Sequence, residues 1–144
     1  GFGEIKSIDV NPSFKNNLFQ VDKKKVIKNI KKNSKNQKFR LIEGFYNKTI
    51  KDKNTNDYGI NKSRIIMIDC DLKESTTLAL NFAKPSLQEG TIIIFDDLNF
   101  YKGNSNKGEY GAFEEFRNKN PNIKFRRIFD YGYSGRAFIV ANLD

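Results

Sequence analysis

No histidine occurs among these 144 residues, and no tryptophan. Without histidine there can be no Ser-His-Asp or Cys-His catalysis and no imidazole ligand for a metal. One cysteine, Cys70, excludes an internal disulfide framework and any cysteine-based zinc cluster. Long hydrophobic runs are missing too. The longest span about five residues, where a membrane helix needs about 20. The chain does not open on a charged-then-apolar segment with a small-residue cleavage site, so a cytoplasmic protein without membrane contact is expected. Any chemistry must come from carboxylates, Lys, Tyr, Ser/Thr or a bound cofactor. The chain starts at Gly1 rather than Met, and that start is expected not to be native.

What is abundant is lysine, with a net charge of +9. Residues 1–64 hold 16 basic and 6 acidic side chains; residues 65–144 hold 10 and 11. A basic half could bind nucleic acid or another polyanion, because clustered lysines release phosphate counterions. The composition favours a plainer reading. There are 20 Lys, 18 Asn and 16 Ile but only six Arg, the residue best suited to phosphates and bases. Lys23–Lys25, Lys28, Lys31 and Lys32 surround Val26, Ile27 and Ile30, as the wet face of an amphipathic helix would.

Residues 1–21 are irregular, and 22–144 form the expected αβ core of a single domain. Asp22 can cap a helix over 22–35. Lys38–Glu43 reads as a short strand stopped by Gly44, and 47–61 as a polar loop or short irregular helix. Arg64–Ile68 is a fully apolar, β-branched run ending in Asp69-Cys70-Asp71. A helix over 74–84 follows, ended by Pro85. Thr91–Phe95 is a second apolar strand, ending in Asp96-Asp97. Gly108–Asn118 reads as a helix with Tyr110, Phe113 and Phe116 at spacings of three. Lys124–Tyr131 and Arg136–Asn142 are strands of a hairpin across Gly132–Gly135. Two apolar strands joined through a helix make a parallel βαβ unit. The class is therefore α/β with three layers.

Ligands of open α/β sheets bind beyond the carboxyl ends of the strands. Neighbouring strands lie about 4.8 Å apart, so Asp69, Asp96 and Asp97 would converge on one small volume. Several carboxylates so close cannot all stay ionised without a cation. A hard divalent ion such as Mg²⁺ is the natural partner, able to orient a hydroxyl and lower its pKa. The plainer alternatives are Asx turns at Asp96-Asp97 and helix capping by Asp71 and Ser75. Phe45, beside Gly44, could stack on a nucleotide base. Phe100–Gly103 with Gly108-Glu109 frames a candidate substrate loop. Cys70, at the end of a buried strand, reads as an inert thiol.

The residues also resemble a family. Ile68–Thr76 (IDCDLKEST) is similar to the "IDxDLYEST" segment of macrocin-type O-methyltransferases. Leu87–Asn99 (LQEGTIIIFDDLN) is similar to their "GTIIIDD" strand. Lys107-Gly108-Glu109 with Ala112, Phe113 and Phe116 resembles the helix that follows, and Glu43–Tyr46 with Thr49-Ile50 resembles "kGwF..TL". The likeness runs from about residue 20 to the C-terminus.

It implies a Rossmann-like methyltransferase sheet, mostly parallel with a C-terminal antiparallel hairpin, using S-adenosylmethionine and Mg²⁺ on a small-molecule hydroxyl, such as a sugar's. It implies that Asp69, Asp96 and Asp97 hold the metal, that Asp69 also helps deprotonate the acceptor, and that Gly44, Phe45 and Asp69 touch the cofactor. Lys73 stands where the family has Tyr, putting a cation at or near the site rim. The family's first two strands would precede Gly1, so a truncated chain, inactive alone, is expected. Their loss would leave an apolar edge on the 64–68 strand. Either the 38–43 strand pairs there or a second copy does, as a homodimer.

Overall fold

A computed structural model describes residues 22–35 and 37–143. The irregular segment 1–21 lies outside the described residues. The chain forms two compact units, one ending at Phe45 and one starting at Tyr46.

In the first unit, α1 spans Lys23–Asn33. The Asp22 side chain accepts from the Lys25 backbone N–H at 3.1 Å, the expected N-cap. Lys31 and Lys32 occupy its last turn, and none of its residues is buried. Its lysines therefore behave as a solvated face. Lys23 pairs with Glu43. The expected strand at Lys38–Glu43 does not form. Phe39, Leu41 and Ile42 are exposed. The run has β-favouring residues, but strand pairing, not propensity, makes a strand.

The second unit holds the sheet. Over 47–61 the short irregular helix is the form taken, as a single turn, α2 (Tyr46–Thr49), and a 3₁₀ turn (Thr55–Tyr58). The strands are β1 (Ile65–Ile68), β2 (Ile92–Phe95), β3 (Ile123–Tyr131) and β4 (Gly135–Leu143). Helices α3 (Lys73–Ala83) and α4 (Gly108–Lys119) join them. A 3₁₀ turn over Lys84–Ser86 ends α3, where Pro85 was read as the stop. The sheet order is β1-β2-β4-β3.

β1 and β2 are parallel, with Ile68 opposite Phe95, as the βαβ reading required. β4 runs antiparallel to both β2 and β3. One of three pairings is therefore parallel, which corrects the expectation of a mostly parallel sheet for the described residues. β4 returns through a tight hairpin and inserts beside β2, so both its neighbours are antiparallel. Among the described residues β1 is an edge strand, and the 38–43 segment supplies no strand to it.

α3 and α4 pack together, and their Leu80, Ala112, Phe113 and Phe116 join Ile68, Ile93, Phe95, Phe138 and Val140 in one core. Phe113 is its hub, with ring centroids 4.8 Å from Phe95, 4.7 Å from Phe138 and 5.1 Å from Phe125. Both helices thus cover one face. Among the described residues of this unit there are two layers, not three. Ile65 and Met67, on the other face of β1, are 65% and 60% exposed. An all-apolar strand predicts cover on both faces; the described residues supply it on one. No helix among them is long and apolar enough to cross a membrane.

Candidate functional site

β1 and β2 end side by side. The ladder continues one step past them, the Asp96 N–H donating to the Ile68 carbonyl at 3.0 Å. Asp69 leaves β1 and Asp96-Asp97 leave β2, so three carboxylates meet at one edge. One oxygen from each lies within 4.8 Å of the others. Parallel pairing thus produces the convergence that the strand-end spacing predicted. Partial desolvation raises the carboxyl of the exposed Asp69, and the charges of Asp96 and then Asp97 add to this. The cluster is held against its own repulsion.

The β3–β4 hairpin orients two of the three. Tyr131 Oη lies 3.0 Å from Asp96 Oδ1 and 3.1 Å from the Phe95 carbonyl. Ser134 Oγ donates to Asp97 Oδ1 at 2.8 Å. Gly135 lets Tyr131 reach this place, since a Cβ there would lie 2.5 Å from the tyrosine ring. Burial, then the Asp96 hydrogen bond, push the Tyr131 phenol up, so it stays a donor. In sequence, Tyr-Gly-Tyr-Ser-Gly (residues 131–135) predicts only a turn. Its signal was two hydroxyl residues flanking the tight turn.

The helix cap expected at Asp71 does not form: Leu72 holds the N-cap position of α3, with no side-chain cap. Asp71 instead adopts φ +56°, and the Leu72 N–H reaches back to the Cys70 carbonyl. That is a tight γ-type turn, rare for a non-glycine residue. Burial pushes the Asp71 carboxyl well up, and its hydrogen bond with Asp97 pushes it further. Asp71 thus joins the acidic cluster, though the cap reading pointed elsewhere.

Glu109 lies on the inner side of the cluster, fully buried. Its Oε1 accepts from the Cys70 N–H at 3.1 Å and its Oε2 from the Asp97 N–H at 3.0 Å. Burial pushes it up to about 7, while the Cys70 and Asp97 amides pull it down. Tyr101 of the candidate substrate loop packs against the start of α4, where a Cβ on Gly108 would lie 2.5 Å from its ring. Lys73, the residue that departs from the family, pairs with Glu115 of α4. The Cys70 thiol is pushed up to about 12, chiefly by burial, and contacts Tyr46 Oη at 3.7 Å. It is a poor nucleophile, as expected. Gly44 (φ +132°) and Phe45 belong to the first unit.

A parallel βαβ unit within a mixed sheet defines an α/β protein, with an acidic cluster at its strand ends. The chain belongs to the macrocin O-methyltransferase (TylF) family, whose model matches residues 7–126. Among solved structures it is similar to the O-methyltransferase NovP, with a TM-score of 0.66 and 21% identity, over 85% of this chain and 46% of that one. It also matches CalS11, a TDP-rhamnose 3'-O-methyltransferase of calicheamicin biosynthesis, with a TM-score of 0.48 and 23% identity, over 69% of this chain and 40% of that one. The chain thus spans less than half the length of either. No curated protein matches it.

Proposed function

We propose that this chain carries the metal and acceptor side of an S-adenosylmethionine-dependent O-methyltransferase with a Rossmann-like sheet, acting on a small-molecule hydroxyl such as a sugar's. The observation behind this is the convergence of Asp69, Asp96 and Asp97 within 4.8 Å in a member of this family. The donor set is all carboxylate, which suits Mg²⁺ and leaves room for water and a substrate oxygen. Asp69, Asp96 and Asp97 would hold the ion; Gly44, Phe45 and Asp69 would contact the cofactor. When bound, S-adenosylmethionine supplies an electrophilic methyl group and Mg²⁺ lowers the pKa of a hydroxyl beside it.

The protein's own residues supply positioning and proton handling. Tyr131 and Ser134 fix Asp96 and Asp97, so their oxygens are set before a substrate arrives. The acceptor hydroxyl must lose a proton. Asp69 stands at the cluster as the base implied by resemblance. Asp71, hydrogen-bonded to Asp97 beside the cluster, is the second candidate. The chain alone would bind S-adenosylmethionine weakly, and a second copy would pair along the open edge of β1.

Calorimetric titration of Mg²⁺ tests the site. We expect one saturable site in the wild type and none in Asp96→Asn or Asp97→Asn. Equal binding by all three, or none by the wild type, overturns it. Tight binding of S-adenosylmethionine to the 144-residue chain would overturn the expectation of weak binding alone.

A further inference from the structure

We propose that Glu109 is a positioning residue that sets the separation of the two metal-bearing turns by bridging their backbones. This rests on the metal-site reading above.

An acidic residue in the first turn of a helix ordinarily serves that helix's own free N–H groups. Glu109 does not. It is the second residue of α4, it is fully buried, and its two oxygens take N–H groups from two other elements. Cys70 N–H belongs to the turn after β1 and follows Asp69 directly; Asp97 N–H belongs to the turn after β2 and to a ligand residue. One rigid carboxylate therefore ties the backbone of both turns to α4. The β1–β2 ladder brings Asp69 beside the Asp96-Asp97 pair, and this side chain then fixes the two turns beyond the ladder.

Two further features need such a brace. Asp71 holds φ +56°, a strained conformation that persists only where its surroundings over-determine it. Gly108 brings α4 against that turn, where a Cβ would lie 3.2 Å from the Asp71 carbonyl. A carboxylate accepts through both ends. An amide accepts through one and donates through the other, so Glu109→Gln sets a donor against a donor at either Cys70 or Asp97. Partners that orient ligands in this way typically account for about 10–100-fold in metal affinity.

The test uses Mn²⁺ alone as probe, its affinity for the 144-residue chain read by electron paramagnetic resonance. Wild type, Asp96→Asn and Glu109→Gln are compared at a temperature where circular dichroism shows each folded. Wild type should bind, Asp96→Asn should lose the site, and Glu109→Gln should bind about 10–100-fold more weakly. A folded Glu109→Gln with wild-type affinity overturns the role of Glu109 and leaves the metal site standing. A wild type that does not bind Mn²⁺, or binds it as Asp96→Asn does, overturns both. Amide hydrogen exchange on the metal-free wild type keeps the test alive if Glu109→Gln fails to fold. Cys70 and Asp97 amides should exchange at least about 100-fold slower than unprotected amides; exchange at loop rates overturns the brace.

Discussion

Replacing Asp69 by Asn should move stability in opposite directions with and without a divalent ion. Its carboxylate sits within 4.8 Å of those of Asp96 and Asp97. Two unit charges at that distance repel by about 1 kcal/mol in a water-like dielectric and by roughly four times that in a partly buried site. Asp69 is an exposed residue, so the lower figure applies, and salt lowers it further. Asn keeps the shape and removes two of the three repulsions. The metal-free variant should therefore gain up to about 2 kcal/mol, roughly 4–8 °C in Tm for a chain of this size. With Mg²⁺ the order reverses. At about 100 times its Kd a ligand stabilises the folded state by about 2.7 kcal/mol, so wild type should rise by roughly 5–11 °C. The variant should not move. Differential scanning fluorimetry in EDTA and in Mg²⁺ reads both arms. A variant that is less stable than wild type in EDTA refutes the repulsion argument, and one that keeps the Mg²⁺ shift refutes the ligand assignment.

The same charges set a pH dependence. Asp69, Asp71 and Glu109 all have raised carboxyls in the folded state, Glu109 to about 7. The folded chain then holds more protons than the unfolded chain, so metal-free stability should fall as pH rises from the ordinary carboxylate range through about 8, where Asp71 titrates. Thermal melts in EDTA at successive pH values should show this fall, and Mg²⁺ should shrink it; a rise over that window contradicts it. Ser134→Ala removes the hydrogen bond to Asp97 and should cost about 1 kcal/mol in thermal melts and weaken Mn²⁺ about tenfold. Phe113→Ala empties the centre of the aromatic cluster and should cost about 3–5 kcal/mol in urea unfolding.

The site was legible where chemistry follows the strand. Two apolar runs ending in acids, with one helix between, leave only parallel neighbours, and parallel neighbours bring Asp69 to Asp96 and Asp97. The amphipathic spacing of Tyr110, Phe113 and Phe116 likewise marked the core face of α4. What stayed hidden depends on contacts distant in sequence. Lys38–Glu43 has strand-like residues, but a strand needs a partner, and sequence gives no partner. Tyr131 reaches Asp96 across 35 positions, through a hairpin whose place beside β2 local patterns do not reveal. Glu109 looks like any acid in a first helical turn until its two amide partners are seen. Asp71 resembles a cap because Asp often is one; its left-handed backbone comes from the turn closing onto α4.

The central claim is that Asp69, Asp96 and Asp97 hold one divalent ion. Anomalous diffraction at the manganese edge from crystals grown with Mn²⁺ tests it most directly. The account predicts one peak with an oxygen of each of the three carboxylates about 2.0–2.3 Å away, the range for small divalent ions on oxygen. Saturating Mn²⁺ with no peak among these residues, or a peak held by other side chains, would contradict it.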